Sequence, residues 1–263
     1  MQRKATHPIE DRSRRQFVRQ VVGLSAGATL LNLVNAAATQ AATPLRTTAA
    51  ASTASAPEAA HQPRYGMLVD TQKCATGCTH CVDACSREHG LGGSNAPLTD
   101  AQWIRKVDLR DVNTARAVSL PMFCQHCEHP PCVDVCPTGA SFKRADGLVL
   151  VDKHTCIGCR YCIMACPYKA RSFIHENLTE QLPRAPRGKG TVESCTLCVH
   201  RIDAADQSQP ACAQACLDAG HGALLFGDLN DASSALASRL RKQPSRELRA
   251  DLALNTAIRY QGV

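Results

Sequence analysis

Cys156-Ile157-Gly158-Cys159-Arg160-Tyr161-Cys162-Ile163-Met164-Ala165-Cys166-Pro167 sets three thiols on one tight loop, a fourth about one helical turn further on, and then a proline. Sulfurs at this spacing face a common centre, and Gly158 lets the backbone pass close to whatever they hold. The fourth thiol points away from that centre, toward a second one. The rest of the 263-residue chain repeats the theme: sixteen cysteines all lie between Cys74 and Cys216, while aromatic residues make up only 4% and Trp103 is the single tryptophan. Large apolar side chains are too scarce for an ordinary core, so something bound by cysteine must fill the interior.

Three further groups flank the first. They are Cys74-x3-Cys78-x2-Cys81-x3-Cys85, Cys124-x2-Cys127-x4-Cys132-x3-Cys136-Pro137 and Cys195-x2-Cys198-x13-Cys212-x3-Cys216. The Cys156 group has the spacing of bacterial ferredoxins, in which three cysteines bind one [4Fe–4S] cubane and the fourth reaches its neighbour. Sixteen thiols at four per cubane give four [4Fe–4S] clusters with no remainder. The rival readings fit less well. Disulfide scaffolds are short, and cysteines two residues apart rarely bridge. Zinc ribbons use Cys-x2-Cys pairs but rarely carry the x3-Cys-Pro ending. Haem attachment requires Cys-x-x-Cys-His, a run that does not occur in this sequence.

A net charge of +7 invites a nucleic-acid reading. Much of it, however, sits in residues 1–61, where seven Lys/Arg face three Asp/Glu. Four clusters at about −2 each would turn the remaining +3 into about −5. No nucleic-acid partner is expected.

The paired arginines of Arg12-Ser13-Arg14-Arg15-Gln16-Phe17-Val18 precede a short apolar stretch, Val21 to Val34, and then small residues suited to cleavage after Ala36, Ala38 or Ala42. The pattern resembles a twin-arginine signal over residues 1–42, followed by an Ala/Thr/Ser/Pro-rich linker over 43–62. Twin-arginine export carries folded proteins, so clusters can be inserted before transport. A periplasmic location is expected, and beyond Arg64 no apolar run approaches the length of a membrane span.

The apolar pieces Tyr65–Asp70 and Leu148–Asp152 lead into cysteine groups, and Trp103–Leu109 alternates as a strand should. Strand, loop, short helix is an α+β pattern: two interleaved bacterial-ferredoxin-like units with inserted loops and strands over residues 63–227, preceded by a disordered or helical signal segment. Residues 228–263 read as a helical tail, with amphipathic pieces at 233–242 and 245–254.

In this order the groups resemble the four-cluster ferredoxin subunits of membrane-linked oxidoreductases, among them the beta subunits of dimethyl-sulfoxide reductases, polysulfide reductases and the partners of formate-dependent nitrite reductases. Thr71–Cys81, Phe123-Cys124-Gln125-His126-Cys127 and Ser194-Cys195-Thr196-Leu197-Cys198 look most like the periplasmic iron–sulfur (DsrO-type) subunits of sulfite-reductase-associated transmembrane complexes. The resemblance implies one cluster on Cys74, Cys78, Cys81 and Cys216, and a neighbour on Cys195, Cys198, Cys212 and Cys85. It implies a third on Cys124, Cys127, Cys132 and Cys166, and a fourth on Cys156, Cys159, Cys162 and Cys136. The extra residue after Cys74 departs from the commonest family spacing.

The implied function is a relay of single electrons between a membrane quinone-interacting subunit and a periplasmic multihaem cytochrome c, in sulfur metabolism. The alternative is the beta subunit of an exported molybdopterin enzyme. In neither is the chain catalytic alone. Lys73, Arg160, Lys169 and Arg171 are candidates for tuning potentials, and His80, His126 and His129 lie in or beside the loops.

Overall fold

The computed structural model describes residues 61–92, 98–204 and 209–263; the signal and linker readings lie outside them. In chain order, β1 (Tyr65–Asp70) leads to α1 (His80–His89), and β2 (Arg105–Arg110) and β3 (Ala117–Met122) form the inserted hairpin. Next come α2 (Pro131–Asp134), β4 (Ser141–Lys143), β5 (Val149–Val151), α3 (Tyr161–Ala165), β6 (Arg171–Phe173) and β7 (Val192–Ser194). The last elements are α4 (Val199–Ile202), α5 (Ala211–Asp218), β8 (Leu224–Asp228), α6 (Ala235–Lys242) and β9 (Ile258–Gln261). The domain is a mixed helix–strand fold. The three strands expected from apolar patterning all form, β2 beginning two residues later than the alternation suggested, at Arg105, where its pairing with Met122 of β3 starts.

The largest sheet has the order β8-β1-β9, antiparallel on one side and parallel on the other. As its central strand, β1 is covered on both faces, which explains the unbroken apolar run Met67-Leu68-Val69. The other sheets are two-stranded, β2-β3, β4-β5 and β6-β7. Such ribbons are marginal alone and depend on what they pack against. Much of that packing is cysteine: Cys81, Cys85, Cys124, Cys127, Cys166, Cys195, Cys212 and Cys216 belong to the main core with Met67, Phe123, Leu148, Ile258 and Tyr260. None of the described helices is long and apolar enough to cross a membrane.

Residues 228–263 differ from the expected helical tail. The first amphipathic piece forms α6, capped by Ser234 Oγ, which accepts from the Ala237 amide at 3.0 Å. The second forms no α-helix, only a 3₁₀ turn at Ala250–Leu252 between left-handed Arg249 and Ala253. Here the carboxylate of Glu247 accepts from the Thr256 amide at 2.8 Å and so closes the segment into a loop. The chain then enters β9, where Ile258 and Tyr260 are fully buried. Four residues give too short an alternation to be read as a strand, yet they complete the central sheet.

Candidate metal centres

All sixteen cysteines are free thiols; eleven are buried, four are partly exposed and only Cys159 is fully exposed. Helices α1 and α5 pack together, and each carries two cysteines four residues apart, Cys81 and Cys85 on one, Cys212 and Cys216 on the other. Side chains at this spacing share a helix face. One cavity is lined by Cys74, Cys78, Cys81 and Cys216. Cys85 in turn faces Cys198, while Cys195 faces Cys85 and Cys212. The first and last groups thus exchange a cysteine across the fold.

The middle groups do the same. A second cavity is lined by Cys124, Cys127, Cys132 and Cys166, and Cys162 faces Cys156 and Cys136. Each short helix, α2 and α3, presents one cysteine within it and one just after it.

The four loops share a backbone device that spacing alone shows only once. The residue just before the second cysteine is left-handed in every group: Gly77 (φ 75°), His126 (42°), Gly158 (71°) and Leu197 (50°). Glycine adopts this conformation freely, whereas His126 and Leu197 are held there by burial, each 1% exposed. At Gly158 the need is also steric, since a Cβ would lie 2.0 Å from the Gly190 carbonyl oxygen.

Burial raises the pKa of Cys81 to about 11 and of Cys124 to about 12, with neighbouring thiols adding to it, and burial with the Glu88 carboxylate nearby raises Cys198 to about 11. A metal that binds here must displace protons. Cys136 moves the other way. Burial raises it, but hydrogen bonds from Ser141, Thr138 and Ala140 outweigh that and lower it. Backbone amides point at several sulfurs: Ser141 N to Cys136 Sγ at 3.3 Å, Val192 N to Cys156 Sγ at 3.4 Å, Leu197 N to Cys195 Sγ at 3.4 Å and Ala223 N to Cys216 Sγ at 3.3 Å. Soft sulfur donors in fours, amides aimed at the sulfur and no disulfide fit a thiolate-bound iron–sulfur cubane.

Several contacts around these sites were not legible in the spacing. His89, 2% exposed, lies with Nε2 3.3 Å from Cys198 Sγ and packs against the Trp103 ring, centroids 4.3 Å apart and planes tilted by 39°. Lys106 Nζ donates to the carbonyls of Ala75 and Cys78 at 2.6 and 2.7 Å, closing the longer first loop. Among the expected histidines, His80 and His129 are exposed, while His126 is buried with Nδ1 accepting from the Val149 amide at 3.0 Å. His80 and His221 come within 4.8 Å of Cys78 and one another. Of the four candidate tuning charges, Lys73, Arg160 and Lys169 reach solvent; only Arg171 is buried.

Residues 115–228 match the 4Fe-4S dicluster domain family. The chain is 41% identical over 230 residues to the Hdr-like menaquinol oxidoreductase iron-sulfur subunit 1 of Archaeoglobus fulgidus, with 77% of this chain and 85% of that one covered. A tetrathionate reductase subunit of Salmonella typhimurium is 37% identical over 232 residues, covering 88% and 80%. A sulfite dehydrogenase subunit of Allochromatium vinosum is 35% identical over 214 residues, covering 75% and 82%. Four-cysteine loops that exchange their last cysteine, and full-domain likeness to subunits of oxidoreductases, lead to one assignment: the chain belongs to the [4Fe–4S] ferredoxin-subunit family.

Proposed function

We propose that the chain is a linear electron relay of two interleaved ferredoxin-like units carrying four [4Fe–4S] clusters. Cys74, Cys78, Cys81 and Cys216 hold the first and Cys85, Cys195, Cys198 and Cys212 the second. Cys124, Cys127, Cys132 and Cys166 hold the third, and Cys136, Cys156, Cys159 and Cys162 the fourth. When bound, the clusters accept and give up single electrons.

The observation that carries this reading is the gradient of ligand exposure. Every cysteine of the second and third sets is buried, whereas Cys74 and Cys78 at one end, and Cys136, Cys156 and Cys159 at the other, reach toward solvent. Buried inner sites flanked by partly exposed outer ones suit a wire with two contact ends. At the inner joint, Tyr260 faces both Cys195 and Tyr168, and Tyr168 faces Cys127 and Cys166. These side chains exclude water between the halves. At the Cys159 end, Ile157, Tyr161 and Met164 are 67, 54 and 64% exposed. An apolar rim around an exposed ligand suits docking of a redox partner.

The partners in this reading are an integral-membrane quinone-interacting subunit and a periplasmic multihaem cytochrome c, in sulfur metabolism, with the chain exported through its Arg14-Arg15 signal. The likeness to a menaquinol oxidoreductase subunit favours the quinone link. Likeness to a tetrathionate reductase subunit supports the second reading, a relay serving an exported molybdopterin subunit.

Detergent-solubilised complex, purified anaerobically through a tag on this chain, tests the assignment. Co-purification of haem c and a multi-span protein, with reduction of the clusters by a menaquinol analogue, is the expected result. A large molybdenum subunit in their place would establish the second reading, and clusters that exchange electrons with neither would overturn both. Replacing Arg14 and Arg15 by lysine should leave the loaded protein in the cytoplasm; unaltered export would refute the signal.

A further inference from the structure

Arg171 is the first residue of β6, five positions beyond Cys166, and is 6% exposed. Its Nη2 donates to Cys132 Sγ at 3.0 Å and to Ser141 Oγ at 2.8 Å. The guanidinium lines the cavity of Cys124, Cys127, Cys132 and Cys166, and it also faces Cys162 of the adjoining set. Nη1 is buried without a hydrogen-bond partner.

Among the described residues, no carboxylate answers the charge of this side chain. Arg187, another largely buried guanidinium, is paired with Glu193 at 2.8 Å. Arg171 makes no ion pair with a carboxylate among the described residues, and after burial the groups that act on it most strongly are Cys132, Cys124 and Cys162, with His126 also within its field. An unpaired buried cation is strongly disfavoured. It persists only where a negative group occupies the same pocket, and among the described residues the candidates are the sulfur ligands and what they bind.

A cluster gains one negative charge on reduction. A fixed positive charge in a low-dielectric pocket, donating directly to a ligand sulfur, stabilises the reduced form more than the oxidised one. Lys73, Arg160 and Lys169, facing water, are screened and do this poorly.

Resting on the reading that these cysteines hold a cluster, we propose that Arg171 is a potential-setting residue. It holds the cluster of Cys124, Cys127, Cys132 and Cys166 at a higher reduction potential than a neutral side chain would, so that electrons collect on the inner part of the relay. Its effect on the Cys162 cluster has the same sign and is smaller. On the two sites of the other half it is negligible.

The test is an EPR-monitored redox titration of anaerobically purified holoprotein, with iron counted in every sample. Arg171→Gln should keep its iron and lower one midpoint enough to change the reduced-to-oxidised ratio at a fixed potential at least tenfold, about 59 mV for one electron. Arg171→Lys, which keeps the charge, should recover most of the shift. Full iron in Arg171→Gln with every midpoint unmoved overturns the proposal. If that variant fails to load, wild-type protein labelled with ¹⁵N-arginine decides. Pulsed EPR of the reduced protein should show an arginine nitrogen coupled to one cluster, and no such coupling on any cluster would overturn the assignment. Wild-type protein without iron would instead refute the cluster reading itself, before any variant is compared.

Discussion

Gln125 Nε2 donates to the Tyr260 hydroxyl at 3.0 Å, joining the loop of the second cysteine group to the strand that closes the central sheet. The same amide donates to the Phe123 carbonyl at 2.8 Å, and both side chains of the Gln125–Tyr260 pair are almost wholly buried. Residues beyond β8 are therefore part of the cysteine-bearing core: Cys127 bridges to Thr256, and the Ala257 amide donates to the Gln125 carbonyl at 3.0 Å.

Removing the Tyr260 ring should accordingly loosen both halves. Tyr260→Ala is expected to cost about 3–5 kcal/mol, as for other large buried aromatics. Tyr260→Phe, which loses only the hydroxyl, should cost about 1 kcal/mol. Anaerobic thermal melts of the holoprotein measure both, and equal effects would mean that ring packing is not what matters here.

Gly158→Ala combines an unfavourable positive φ with a collision against the Gly190 carbonyl, so the Cys156 loop cannot close as it does. Iron should fall by about a quarter, that is by one cubane of four. Gly77→Ala, with the same sign of φ but open space around its Cβ, should lose much less. Full iron in Gly158→Ala would show that the loop tolerates another path.

Glu88 is held well down, to about 2, chiefly by a hydrogen bond from Arg201, with His200 and Arg184 adding to it against the effect of burial. A carboxylate with a depressed folded-state pKa stabilises the fold above its ordinary value of 4.5, and that contribution is lost as pH falls toward 2. The melting temperature of Glu88→Gln should therefore lie below wild type by a constant gap from pH 7 to 5. The gap should narrow steadily below about pH 4.5. A gap that stayed constant to pH 3 would rule out the ionised carboxylate as its source.

Among the sixteen thiols Cys159 alone is fully exposed, so its site meets solvent first. In loaded protein no thiol should react with a maleimide. Under slow iron chelation Cys159 should be labelled earliest, as read by peptide mass spectrometry, and the fold should then fail as the buried sites empty. Uniform labelling, or a domain that stays folded without iron, would contradict the role of the metal as core.

How much of this was visible in the sequence depends on whether covalent spacing or tertiary placement carries the feature. The cysteine groups, their glycine at Gly158 and the strands beginning at Tyr65 and Val149 are local patterns, and they were legible. The strand at Ile258–Gln261 was not, because four residues with two inward side chains resemble any short tail. Nor could spacing reveal that His126 and Leu197 share the conformation of Gly77 and Gly158, since their left-handed backbone is imposed by burial. Arg171 stood among four comparable cations until its burial against Cys132 separated it from Lys73, Arg160 and Lys169. His89, reaching Cys198 across 109 positions of sequence, left no local trace at all.

The most direct test counts iron and acid-labile sulfide per chain in natively matured, anaerobically purified protein. About sixteen of each, with no free thiol and no cystine, is the result expected for four cubanes on sixteen cysteines. Iron-free protein whose cysteines are paired as disulfides would contradict it.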